Sequence, residues 1–307
     1  MLPAGAIDIG GTNTRVAIIG RDGVIIRMER CKTPAGNPGD IAGKVSDLLL
    51  AMTGGEIPVP LAVIGIAAAG QIDLKAGTLV RPPKIPFTLV PLVSPIRERT
   101  GLEPRLLNDC RAAVLGEVIT GGGKNRGTVV YITISTGIGG GIFTGGRVMN
   151  GRGGNAGEIG HFPVDTTYLV RCTCGCSGHW EGYASGKGIP VFYQEWCMKN
   201  SHSPSSAELT TGEILSRSRG EQAETPGFGA ALATINGRGL SAVIVAYDPD
   251  SIILDGPVIR NHPDLVEDAV RMTDRYLILP EICISPLEGD APLIGAAMAV
   301  FYPDMIS

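Results

Sequence analysis

Residues 7–15 read IDIGGTNTR and residues 134–141 read ISTGIGGG. In each, an apolar run breaks into a turn of glycine and threonine and a second apolar run leads away, the pattern of a β-hairpin. Two such hairpins in one chain predict an internal duplication. Gly10 and Gly11 carry no side chains, so backbone N–H groups in the first turn can approach an anion closely. Thr12 and Thr14 add hydroxyl donors, Asn13 belongs to the same turn, and Arg15 adds a positive charge. Asp8, at the strand end, is placed to hold Mg²⁺ through water. Thr136 and Gly137 occupy the corresponding place in the second turn. Either stretch alone could be an ordinary hairpin turn, whereas two on two lobes can grip one triphosphate from both sides. Neither matches the Walker or the Rossmann glycine pattern.

Working outward, strands alternate with helices. LAVIGIAAAG (61–70) is a continuous apolar run of a strand buried on both faces. PGDIAGKVSDLLLAM reads as a helix capped near Asp40, and PRLLNDCRAAVLGEVI as a strand entering a helix. The sequence predicts a long helical segment from about Gln222 to Tyr247, a strand at DSIILDGP, a helix at DLVEDAVRMTDRYL, a strand at EICISP and a closing helix at LIGAAMAVF. KNSHSPSSAEL reads as a polar loop. The class is α/β, in two lobes with a cleft between them. The small lobe is predicted over residues 1–115, joined by the terminal helix at about 290–307, and the large lobe over 116–289.

The chain has 307 residues, a formal charge of −4, 44% apolar residues and 44 glycines. Mild acidity without a basic tail argues against a nucleic-acid-coating protein. No run reads as a bilayer span and no secretory leader is apparent. Cys31, Cys110, Cys197 and Cys283 are scattered and read as reduced thiols, so a cytoplasmic setting is expected.

Two further clusters carry chemistry. Asn108 and Asp109 stand at a strand-to-helix junction, where an aspartate is either an N-cap or a general base that takes a proton from an attacking hydroxyl. GNAGEIGHF supplies Glu158 and His161, whose spacing would share one helical face. The glycines around them argue instead for a tight loop. With Asn108 and Asp109 they form a polar set suited to a sugar. RCTCGCSGHWEGYASG (171–186) packs three cysteines and a histidine into eight residues, as a metal site would.

Together these stretches resemble the ROK family of sugar kinases and related repressors. IDIGGTNTR is similar to its first phosphate motif. ISTGIGGGIFTGGRVMNGRGGNAGEIGH is similar to the family signature in glycine spacing. NDCRAAVLGE resembles the catalytic-aspartate segment, CTCGCSGHWEGYASG the zinc motif, and YDPDSIILDGPV and LIGAAMAVF the adenosine loop and terminal helix. The resemblance runs through the whole chain in order. It implies an actin/hexokinase-like (ribonuclease H-like) ATPase fold of two lobes closing over ATP and a sugar. Asp109 would be the base. Gly70, Gln71, Asn108, Asp109, Glu158, His161 and Glu181 would contact sugar. Asp8, Gly10, Gly11, Thr12, Asn13, Arg15, Thr136, Gly137 and Gly256 would serve ATP and Mg²⁺.

The implied activity is ATP-dependent phosphorylation of a hexose 6-hydroxyl, glucose first, with N-acetylmannosamine or N-acetylglucosamine as the alternative acceptor and a non-catalytic sugar sensor as the remote one. The family's repressors carry an added N-terminal DNA-binding domain, for which no room is expected before Asp8, and a homodimer without nucleic-acid or membrane partners is implied. The chain departs from the motifs at Ser135, at LDGPV, at RPPKIPF and above all at His179, which stands where a zinc cysteine belongs. The resemblance implies structural zinc on His161, Cys172, Cys174 and His179, with Cys176 as rival fourth ligand.

Overall fold

The structure is a computed structural model that describes residues 2–54, 61–152, 156–202, 209–218 and 224–306. The chain opens with the strands β1 (Ala4–Ile9), β2 (Asn13–Ile19) and β3 (Ile25–Lys32), helix α1 (Asp40–Thr53) and strand β4 (Ile64–Ala68). Three short strands follow, β5 (Gln71–Asp73), β6 (Thr78–Val80) and β7 (Leu89–Pro91), then α2 (Val93–Thr100), β8 (Pro104–Asn108) and α3 (Asp109–Thr120). The second set comprises β9 (Val129–Ile134), β10 (Ile138–Thr144) and β11 (Arg147–Val148), followed by helices α4 (Trp180–Ala184), α5 (Gly188–Lys199), α6 (Thr211–Arg217) and α7 (Pro226–Tyr247). Strand β12 (Ser251–Asp255), α8 (Pro257–Asn261), α9 (Asp264–Arg271), β13 (Glu281–Ile284) and α10 (Ala291–Phe301) complete it.

The two five-stranded sheets have orders β3-β2-β1-β4-β8 and β11-β10-β9-β12-β13. In the first, β1 pairs antiparallel with β2 and parallel with β4, which pairs parallel with β8. In the second, β10 pairs antiparallel with β11, and β12 parallel with β13. A hairpin set beside crossover strands thus occurs twice, which is the duplication that the two glycine turns predict. The inner strands β4 and β12 are buried at every position, because helices cover both faces of such sheets. At the edge, β3 is mostly exposed and carries Arg27, Glu29 and Arg30.

Two compact units divide the chain. One takes Met1–Tyr131, Gly141–Gly157 and Ser285–Ser307; the other takes Ile132–Gly140 and Glu158–Ile284. Residue 115 lies inside α3, so the first unit continues past the boundary drawn from sequence. Its core packs Ile41, Val45 and Leu49 of α1 against Ile7, Ile9, Val16 and Ile66 of the sheet. The terminal helix belongs to this unit: α10 is buried on nearly all sides, against α3, β4 and β1.

Glycine allows that approach. A Cβ on Gly295 would lie 1.7 Å from the Ala112 carbonyl oxygen, and one on Gly65 1.8 Å from that of Ala296. Backbone on both sides leaves no flexible group to yield. Gly295→Ala should therefore destabilise the protein by about 3 kcal/mol and lower its Tm by roughly 6–12 °C in a thermal scan; an unchanged Tm would contradict this packing.

The second unit is built around aromatic side chains. Phe192 meets Tyr183 and Phe228 with ring centroids 5.0 and 5.2 Å apart. Trp180 is buried and donates from Nε1 to Asn236 Oδ1 at 2.8 Å. Helix α7 is long and apolar enough by length and composition to cross a bilayer, which qualifies the sequence reading, but most of it is buried as a core helix.

Several boundaries differ from the sequence reading. The cap of α1 is Gly39, while Asp40 accepts the Asn37 N–H at 2.8 Å in the preceding turn. Helix α7 begins at Pro226, a residue pre-organised for a first helical turn. Helix α9 stops at Arg271 instead of running to Leu277. Of the polar loop at 199–209, residues 203–208 lie outside those described.

Candidate active site

In the first glycine turn, Gly10 N–H donates to the Asn13 carbonyl at 3.0 Å, closing the β1–β2 hairpin. Thr12 and Asn13 are exposed at its tip. Thr14 is not presented to a ligand: it is buried, and its hydroxyl pairs with Thr33 at 2.9 Å. Thr33 in turn donates to the Gly10 carbonyl at 2.7 Å.

Arg15 is also engaged. Its Nε and Nη2 donate to Asp8 Oδ2 at 3.0 and 2.8 Å, Nη1 donates to Asp290 Oδ1 at 2.6 Å, and Nη2 also meets the Gly289 carbonyl. The sequence reading placed this guanidinium at a phosphate; the structure places it between two carboxylates. Burial pushes the Asp8 carboxyl above its ordinary range, and Arg15 works in the opposite direction. No local signal pointed to Asp290, which reaches the site only because α10 docks beside β1.

At the β8–α3 junction the capping question resolves. Asn108 is the N-cap, with extended backbone, and its Oδ1 accepts from Cys110 and Arg111 N–H groups at 3.0 and 3.3 Å. Its Nδ2 donates to the Gly70 carbonyl at 3.2 Å, tying down the turn that Gly70 makes at φ +114° before Gln71 opens β5. Asp109 is the first helical residue, relieved of the cap and steadied by the Cys110 N–H on Oδ1 at 2.9 Å.

Glu158 and His161 belong to the second unit. Contrary to the expected loop, Ile159–His161 form a 3₁₀ turn with Glu158 at its cap. Residues three apart eclipse in such a turn, and His161 Nε2 lies 3.8 Å from Glu158 Oε2. The other ring nitrogen turns to the cysteines: His161 Nδ1 is 3.7 Å from Cys172 Sγ, and His179 Nδ1 is 3.3 Å from Cys174 Sγ. One ligand atom from each of these four residues lies within 4.8 Å of all the others. Tetrahedral zinc with sulfur and nitrogen ligands places neighbours about 3.3–3.8 Å apart; the two histidine–cysteine pairs have that spacing, and the chemistry of the four donors suits that ion with four protein ligands. Cys176 is exposed and outside the group; its carbonyl accepts the Cys172 N–H at 2.7 Å, and its thiol contacts that of Cys174.

The loop is braced from behind. Asp165 is buried and accepts from Tyr168 N–H at 2.7 Å and from the Tyr183 hydroxyl at 2.9 Å. Burial works to raise its pKa, but these donors outweigh it and hold the carboxyl below the usual range. Asp165 was not singled out from sequence, and nothing in VDTTYL marks it.

Glu181, on α4, does not stand free toward a ligand. Its Oε2 accepts the Ile138 N–H at 3.0 Å, directly after the second glycine turn, and its Oε1 accepts from Thr173 Oγ1 at 2.5 Å. Thr136 is exposed at that turn. Gly256, at φ +99° between β12 and α8, abuts the end of β9, where a Cβ would meet the Ile134 carbonyl at 2.4 Å. Asp255 accepts the Gly256 N–H at 2.6 Å and pairs with Arg260, fixing that loop.

The predicted residues thus fall into two sets. Asp8, Gly10–Arg15, Gly70, Gln71, Asn108 and Asp109 lie in the first unit; Thr136, Gly137, Glu158, His161, the metal loop, Glu181 and Gly256 lie in the second.

The family profile that matches residues 4–301 is that of the ROK family. A glucokinase of Streptomyces coelicolor is 30% identical over 319 residues, covering 98% of this chain and 98% of its own length. Among solved structures, a ROK hexokinase from Thermus thermophilus superposes with a TM-score of 0.83 at 26% identity, covering 99% of this chain and 100% of that one. A ROK family glucokinase from Streptomyces griseus, in complex with glucose and AMPPNP, gives 0.75 at 27%, covering 96% and 98%. The fold is therefore the two-lobed, actin-like ATPase fold of these kinases.

Proposed function

The chain belongs to the ROK family, and from that premise we propose that it is an ATP-dependent hexose kinase that phosphorylates glucose at the 6-hydroxyl. The observation that carries the reading is Asp109 at the first position of α3, freed from capping by Asn108. Full-length similarity to a glucokinase, and to a structure holding glucose with an ATP analogue, supports the substrate pair.

Asp109 accepts the proton of the attacking hydroxyl as the phosphoryl group transfers. In a loose transition state that proton leaves late, so position counts for more than basicity. Asn108 holds the Gly70–Gln71 turn, and Glu158 with His161 offers an acceptor and an imidazole to sugar hydroxyls. Zinc fits His161, Cys172, Cys174 and His179; a closed set orients His161 and leaves no open position for substrate. Asp8 would hold hydrated Mg²⁺, which neutralises phosphate charge when bound. Arg15 fixes the carboxylate of Asp8 instead of reaching a phosphate itself. Gly10, Gly11, Thr12, Asn13, Thr136 and Gly137 line the phosphate turns, with Gly256 at the adenosine loop. The reading includes a cytoplasmic homodimer of two-lobed subunits.

A coupled assay of ADP release over hexoses, hexosamines and their N-acetyl forms tests it. Glucose should give the highest kcat/KM. Turnover only with N-acetylmannosamine or N-acetylglucosamine would reassign the acceptor, and none with any sugar would leave a sugar sensor.

A further inference from the structure

We infer that the metal loop supports the second phosphate turn as well as the sugar site, with Glu181 and Thr173 as the positioning residues that join them. The inference rests on the reading of Ser135–Ile138 as a nucleotide-phosphate turn.

The contacts lie within one unit. His179 is at once a member of the metal group and the N-cap residue of α4. Whatever fixes its imidazole therefore fixes where that short helix starts. Two residues on, Glu181 accepts the Ile138 N–H at 3.0 Å; beyond the end of α4, the Gly186 N–H donates to the Ser135 carbonyl at 2.7 Å. The turn is thus clasped at both ends by one five-residue helix and its exit. The 3₁₀ turn that carries His161 packs on the same residue, since a Cβ on Gly160 would meet the Ile138 carbonyl at 2.2 Å. Both metal-ligating histidines therefore sit on segments that touch the turn.

Thr173 closes the connection. It lies between Cys172 and Cys174, so metal binding to those cysteines fixes its backbone, and its hydroxyl donates to Glu181 Oε1 at 2.5 Å. The carboxylate is then held by the Thr173 hydroxyl and the Ile138 N–H, with the Cys172 sulfur 3.7 Å from Oε1 as a second contact from the metal loop. Gly137 leaves it room: a Cβ there would come within 2.4 Å of Glu181 Oε2. A bond to a charged acceptor in so confined a place sets the direction of the Gly137–Ile138 peptide, and with it the backbone groups offered to phosphate.

Calorimetric titration with AMPPNP, without sugar, tests this beside measured zinc content. Thr173→Val should keep zinc yet weaken AMPPNP about three- to tenfold, the loss of part of one charge-assisted hydrogen bond. Thr173→Ser should restore it, and Glu181→Ala should weaken it at least as much. Gly137→Ala and Thr136→Val probe the turn directly. If those two weaken AMPPNP while Thr173→Val and Glu181→Ala leave it unchanged at full zinc, the coupling is overturned and the phosphate-turn reading stands. If Gly137→Ala and Thr136→Val also bind normally, the turn does not hold nucleotide and both readings fall. Should Thr173→Val lose zinc, wild-type protein stripped by a chelator decides: weakened AMPPNP supports the coupling, and unchanged affinity overturns it.

Discussion

Asp109→Asn should lower kcat for glucose phosphorylation by about 10³-fold or more, within the range of a lost general base, while glucose binding measured by calorimetry stays within about threefold. The substitution is nearly isosteric. Asn108, not Asp109, caps α3 through Cys110 and Arg111, so the helix keeps its start. The Cys110 N–H on Oδ1 at 2.9 Å can still be accepted by an amide oxygen. What disappears is a group able to take the sugar proton at neutral pH. Loss of turnover with binding retained therefore separates chemistry from folding, and an Asp109→Asn enzyme with near-normal kcat would remove Asp109 from the mechanism.

Replacing His179 by alanine should reduce zinc affinity by more than about 100-fold, beyond the 10–100-fold typical of losing an outer-shell partner. Cys176→Ser should leave zinc stoichiometric. The geometry draws the contrast: the His179 ring stands 3.3 Å from Cys174 Sγ, and Cys176 lies outside the four-membered group. With the ligand gone, His161 loses its fixed tautomer and α4 loses its anchored start, so glucose affinity should fall together with zinc. Metal analysis after dialysis reads the first effect and a glucose titration the second. Full zinc in His179→Ala, or its loss in Cys176→Ser, would reverse the ligand assignment.

Much of this was legible in advance. The two glycine turns announced two hairpins, and the sheets repeat one strand order around them. The apolar character of LIGAAMAVF marked a buried helix, and α10 is one. Less was legible where a side chain had several competent partners. Thr14 and Thr12 look equivalent in sequence, yet Thr12 lies exposed in the turn before β2 begins at Asn13, whereas Thr14, inside the strand, is buried against Thr33. Arg15 reads as a phosphate cation, but a buried guanidinium is drawn to carboxylates, and Asp290 becomes available only through the docking of α10. The glycines near Glu158 suggested a loop, whereas a single 3₁₀ turn aligns Glu158 with His161. The three-stranded sheet β5-β6-β7 and helix α2 had no strong period to reveal them.

By itself, the order of residues along the chain determined the fold class, the family, the candidate base at Asp109 and the set of donors from which a zinc site could be drawn, because these depend on local pattern and spacing. Tertiary structure alone decided which donors converge and what each polar group is bonded to. Cys176 and His179 both follow Cys174 within one short stretch, and both are competent zinc ligands. The Cys172 N–H pairs with the Cys176 carbonyl and Pro163 bridges to His179, and it is the His179 ring, not the Cys176 thiol, that falls within the four-residue donor group. In the same way Glu181 faces the Ile138 amide because α4 packs beside the second hairpin. Direction in space is set by packing between segments distant in sequence, and no spacing along the chain encodes it.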